Sequence, residues 1–107
     1  MNELQLGVAI EGIRKMLGMP QIVLAKRIGL TVNYVCLLEK DKRGASQETL
    51  HRIAEVFGIP VCFFFIFAEN VDAIKEPIMR ECMNRIQGMV ADELMKKAGK
   101  NGKETKI

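Results

Sequence analysis

Cysteine, histidine and long apolar runs are scarce in this chain, and each shortage excludes a class of function. Cys36, Cys62 and Cys82 lie far apart in an odd number, which argues against a disulfide framework and against a zinc site. His51 is the single histidine, so no second imidazole can join it on a metal, and no base–nucleophile pair forms around it. Carboxylate pairs, metal-ligand sets and a phosphate-cradling glycine loop are missing as well. The chain is therefore expected to be no enzyme and to hold no cofactor or metal. The longest apolar stretch, "IPVCFFFIFA" at Ile59–Ala68, is half the length of a membrane span. Glu3 precedes any positive charge, so no basic leader segment opens the chain. These absences predict a soluble, cytoplasmic protein in a reducing setting that does not engage a membrane.

What is present suits one small domain with an appendage: 107 residues, of which 49% are hydrophobic. A core of this size is marginal alone, and oligomerisation is a common remedy. The net charge of +3 says little until it is mapped along the chain.

Helical periodicity organises the first two thirds. Leu6, Ile10, Ile13 and Leu17 place a first helix over about 4–17, ended by Gly18. Pro20 opens a second helix, with Leu24, Ala25 and Ile28 inward and Gly29 as its stop. Thr31 caps a third, with Val35 and Leu38 inward, before the polar loop "KDKRGAS". Ser46 caps a fourth, with Glu48 favourable in its first turn and Leu50, Ile53, Ala54 and Phe57 buried. Gly58 ends it, and Pro60 opens a short, very apolar fifth helix to about Ala68. The expected fold is all-α.

In the second and third helices, Ala25 permits a close crossing, Gly29 supplies a positive φ at the turn, and Val35 plugs the gap. Two short helices held at a fixed steep angle are a helix-turn-helix. The spacing Gln21, Ala25, Gly29, Val35 resembles that of phage repressors and the XRE/Cro-like family of bacterial regulators. The likeness continues in order through "IRK", "LAKRIG", "NYVCLLEKDKR" and "SQETLHRIAEVFGIP". Three positions depart from it: Pro20 stands where the family usually has Ser or Thr, Asp41 where Gly is frequent, and Ala45 where Pro is.

The resemblance implies a lambda-repressor-like DNA-binding domain over residues 1–68, whose third helix enters the major groove of double-stranded DNA. Val32, Asn33, Tyr34 and Leu37 then fall at base-reading positions, and Gln21, Thr31, Lys42 and Arg43 at phosphate-binding ones, with Gln21 also bracing the recognition helix. The chemistry fits: Asn33 can pair bidentately with adenine, and Val32 can meet a thymine methyl. Cys36, in the same helix, is expected to be a plain small side chain. Charge supports the reading independently, because residues 14–43 carry +5 and the remainder −2.

Beyond Ala68, residues 69–97 carry a broad apolar stripe from Ile74 to Leu94 at three- and four-residue spacing, begun or bent by Pro77. The five-residue run Phe63–Phe67 and this stripe each offer more apolar surface than one small domain covers. At least one is expected to form a homodimer interface, for which Phe64, Phe65, Phe67, Ile78, Cys82, Ile86 and Met89 are the residues assigned. Residues 98–107 read as a disordered basic tail. The function expected is a repressor from a bacterial or phage source, dimeric on a palindromic operator and associated with the nucleoid when bound. Two alternatives stand beside it: an antitoxin whose C-terminal helix covers a toxin, and an adaptor that keeps the fold and binds protein without reading DNA.

Overall fold

The computed structural model describes residues 5–105, with side chains through residue 98. Among the described residues there are six α-helices, one 3-10 turn and no strand. They are α1 (Leu6–Met16), α2 (Gln21–Ile28), α3 (Val32–Glu39), α4 (Gln47–Phe57), α5 (Cys62–Ala68), the 3-10 turn Val71–Ala73, and α6 (Pro77–Thr105). No single helix is long and apolar enough to cross a membrane.

Local chemistry places the ends. Thr31 and Ser46 accept the backbone N–H groups of Tyr34 and Thr49 at 3.0 and 3.1 Å, so α3 and α4 each start on a side-chain cap. The α2–α3 turn is made by Gly29 at φ +74°, where Leu30 N–H bonds Ala25 C=O at 2.9 Å and Gly29 N–H bonds Lys26 C=O at 3.3 Å. This closes the orphan carbonyls of α2 in the way a left-handed glycine allows. Pro20 takes an extended conformation just before α2 and offers no side-chain cap. Pro60 lies in a turn ahead of α5, which starts at Cys62.

The core joins α1 through α4 through Ile10, Ile13, Leu24, Val35, Ile53 and Phe57, all essentially sealed from solvent. Helix α5 packs on α1, and Phe64 enters the core edge-on to Phe57 with ring centroids 6.0 Å apart. Helix α6 folds back over α1 and α5. Its Leu94 joins the core, and Gln87 Nε2 donates to the carbonyls of Ile66 and Glu69 at 2.8 and 3.2 Å. Those are orphan carbonyls near the end of α5, which has no glycine of its own to close it.

Two expectations change here. Phe64 was assigned to a dimer interface and is instead fully buried within its own fold, while Phe67 is half-buried against the same core. Packing of α5 on α1 and the core, with α6 returning over it, covers most of the phenylalanine run and leaves Phe65 41% exposed. The backbone is also helical to Thr105, where the sequence pattern predicts a disordered tail from residue 98; residues 106 and 107 lie outside the described residues. Lysine, alanine and glutamate are good helix formers, and Gly99 and Gly102 each cost about 1 kcal/mol without stopping the chain as proline would.

Candidate nucleic-acid interface

The axes of α2 and α3 diverge by 111°, within the range that defines a helix-turn-helix. Burial then sorts the residues of α3. Val35, Leu38 and Glu39 face inward; Asn33 and Lys40 are exposed, Val32 is 40% exposed, and Tyr34, Cys36 and Leu37 are half-buried. At 3.6 residues per turn, Asn33, Leu37 and Lys40 share the middle of the outer face. The base-reading positions assigned from the sequence are thus brought together on one solvent-facing side, with Val32 and Tyr34 at its edges.

Beside that face lies a shallow groove of about 460 Å³ lined by Leu30, Thr31, Asn33, Tyr34, Leu37 and Arg43. Arg43 lies over the Tyr34 ring with its guanidinium carbon 5.7 Å from the centroid, a cation–π placement. The Tyr34 hydroxyl donates to the Gly44 carbonyl at 3.4 Å. Tyr34 therefore braces the loop after α3 and holds one cation at the rim. Lys42 is exposed beyond it, and the Thr31 hydroxyl oxygen is already engaged by its cap, leaving its proton to donate.

Gln21 reaches across to the recognition helix, the bracing role expected for it beside a phosphate contact. Its Nε2 donates to Glu39 Oε1 at 2.8 Å. Glu39 is also held by Arg14, through Nε at 2.6 Å and Nη2 at 3.1 Å, and Arg14 Nη1 donates onward to the Met19 carbonyl at 2.7 Å. The side chains of Arg14 and Glu39 are only 8% and 2% exposed. One buried carboxylate therefore links α1, α2 and α3 through two donors. Arg14 counts in the basic total of the 14–43 segment but is neutralised inside, so the surface charge there rests on Lys15, Lys26, Arg27, Lys40, Lys42 and Arg43.

A second tie fastens the other side of the same turn. The Asp41 carboxylate accepts the Gly7 N–H at 2.8 Å, at the start of α1, whose N-cap residue Gln5 makes no side-chain cap. Asp41 adopts φ +58° to reach it. A negative side chain at a helix N-terminus is favoured by the helix dipole as well as by the bond. The backbones approach closely here: a Cβ on Gly7 would lie 2.2 Å from the Leu38 carbonyl oxygen and 2.8 Å from Asp41 Oδ1.

Sequence reasoning missed Gly7, the Arg14–Glu39 pair and Leu30. The pair had a signal: Arg14 follows Ile10 by four residues on the buried stripe of α1, and Glu39 follows Val35 by four on that of α3. Opposite charges on two buried stripes require each other. Leu30 could have been noticed as an aliphatic residue in the turn, though nothing in the pattern says which way it points.

Among the described residues no group of three or more His, Cys, Asp or Glu side chains could hold a metal. A family model described as helix-turn-helix matches residues 10–64, just over half of the chain. Comparison with curated proteins gave no match.

Proposed function

The chain belongs to the helix-turn-helix family, of the XRE and lambda-repressor-like kind, whose members are DNA-binding regulators, and from that premise we propose that it represses transcription as a homodimer on a two-fold symmetric operator. The observation that carries this reading is the outer face of α3. It presents Asn33, Leu37 and Val32 to solvent, with Arg43 in the adjoining groove and the exposed Lys40 and Lys42 just past the end of the helix. Residues 1–68 bind the duplex, α3 enters the major groove, and the cations set register on the phosphates. Repression follows by occupying the promoter.

Dimerisation falls to residues 69–97. The apolar stripe of helix α6 is broader than the domain covers. Val90 and Leu94 pack on the domain; Ile78, Met79, Cys82, Ile86 and Met89 are left exposed, Ile78 by 70% and Met89 by 68%. Surface of that kind on a soluble domain marks an interface, and methionines suit an adaptable one. A second copy on this face supplies the two-fold symmetry that places two recognition helices one DNA turn apart. A toxin on the same face is the alternative, and the oligomeric state of the purified chain separates the two.

The test is selection of bound duplexes from a random library with the full chain, followed by salt titration on the winner. A palindromic sequence whose affinity falls steeply with salt supports the reading. Absence of any enriched sequence refutes it and leaves a protein partner for α6 as the function to pursue.

A further inference from the structure

We infer that the recognition surface reads A·T base pairs mainly through thymine methyl groups, with Leu37, Val32 and Leu30 as the methyl contacts and Asn33 as the reader of adenine. This rests on the duplex-DNA reading above and names the groove chemistry that the site takes.

The outer side of α3 is unusually aliphatic for a surface that meets a polar groove. Leu30 and Val32 are 38% and 40% exposed, and Leu37 lines the same groove as Leu30 and Asn33. Over Val32–Leu37, Asn33 is the single amide, able to donate and accept at one base edge, and the Tyr34 hydroxyl is turned to the Gly44 carbonyl. No arginine or lysine in that segment offers the paired donors that a guanine edge needs. Lys40 stands a turn later, and Arg43 is held at the rim by the Tyr34 ring.

In the major groove one A·T pair displays both partners this surface can satisfy. Adenine N6 and N7 match the amide of Asn33, and the thymine C5 methyl matches a branched aliphatic side chain. A G·C pair offers no methyl, so the same leucine and valine would lie against polar edges without gain. The occupant is settled by charge. An aliphatic patch with Arg43 in its groove and the exposed Lys40 and Lys42 just beyond the end of α3 suits a polyanion that carries apolar groups in its groove, not an acidic or apolar protein face.

The experiment replaces every thymine of the selected duplex by deoxyuridine, which removes the methyl and leaves pairing intact. Binding of the full chain is compared by fluorescence anisotropy. Each contacted methyl is expected to be worth about fourfold in affinity, from the usual value of one buried methyl, with the salt dependence unchanged. Leu37→Ala and the more exposed Val32→Ala should each lower affinity for the thymine duplex and narrow the thymine-to-uracil ratio. Circular dichroism confirms that the variants fold, and Val32→Ala keeps the test open where Leu37→Ala does not. Equal binding of the two duplexes, or a selected site without A·T pairs, overturns the methyl reading while the regulator reading stands. Failure to select any duplex overturns both.

Discussion

Replacing Arg14 by Met would break the buried pair that anchors α3. The carboxylate of Glu39, 2% exposed, would keep only the Gln21 amide at 2.8 Å. The Met19 carbonyl would lose its donor as well. Removing one partner of a buried, hydrogen-bonded pair costs about 3–5 kcal/mol. A single domain of this size has about 5–15 kcal/mol in total, so Arg14→Met should be barely stable, with a melting temperature lower by about 12–20 °C. The double variant Arg14→Met, Glu39→Leu removes both charges and fills the space with similar volume. Such exchanges are neutral or stabilising by about 1–4 kcal/mol. Here the orphaned Met19 carbonyl and Gln21 amide offset about 1–3 kcal/mol of that. The double variant should therefore lie close to wild type. Urea unfolding followed by circular dichroism at constant m-value measures both. A double variant no more stable than Arg14→Met would refute the reasoning, because it would mean that the lost bonds, not an abandoned charge, set the cost.

Gly7→Ala should destabilise by about 1–3 kcal/mol through overpacking, since its Cβ would meet the Leu38 carbonyl, a backbone atom that cannot swing away; Asp41→Ala should cost about 0.5–2 kcal/mol as a lost cap, both read from urea midpoints. Asn33→Ala should leave the unfolding midpoint unchanged, weaken specific binding by about 1–3 kcal/mol and relax preference at one base; a wild-type isotherm on the selected duplex would remove Asn33 from readout. Lys42→Ala should lower binding to specific and unrelated duplexes alike and reduce the salt slope by about 1, measured by anisotropy over a salt series; Arg43→Ala should do the same. Ile78→Glu with Ile86→Glu should yield a folded monomer in analytical ultracentrifugation and weaken operator binding, while an unchanged sedimentation coefficient would exclude that face of α6 as the dimer contact.

The helices of the first domain were legible because their ends are written in local chemistry. Thr31, Ser46, Gly29 and Gly58 sit at caps where their side chains or their φ freedom are used, and observed boundaries fall close to those read from periodicity. The outer face of α3 was legible for the same reason, since two inward residues fix which way the others turn. What was not legible depends on contacts between distant residues. Nothing near Asp41 announces that it will cap Gly7, thirty-four positions away. At Asp41, where glycine is frequent in the family, the carboxylate gains a helix terminus in return for φ +58°. Phe64 was misassigned because periodicity in so short and uniformly apolar a helix does not say which phenylalanines turn inward; Phe64 packs on Phe57 within the domain. That Gln21 braces α3 was expected, but its partner Glu39 was not, because the burial of that carboxylate was not foreseen.

These distant contacts share a location, and that location explains how the domain can hold a reading surface that contributes little to its own stability. Arg14 and Gln21 both grip Glu39, the last residue of α3, and Asp41, two residues further on, is tied to α1. Helix α3 is thus clamped at its C-terminal end and by its inward residues Val35 and Leu38. At its other end a local cap by Thr31 and the Gly29 turn complete the hold. None of these ties uses Val32, Asn33 or Leu37. The residues that orient the helix and those proposed to meet base edges, Val32, Asn33 and Leu37, are separate sets, so the outer face can change without disturbing the angle at which α3 is presented. An aliphatic outer face such as this one is what that separation permits: side chains that gain nothing from water are kept in place by a scaffold that does not depend on them.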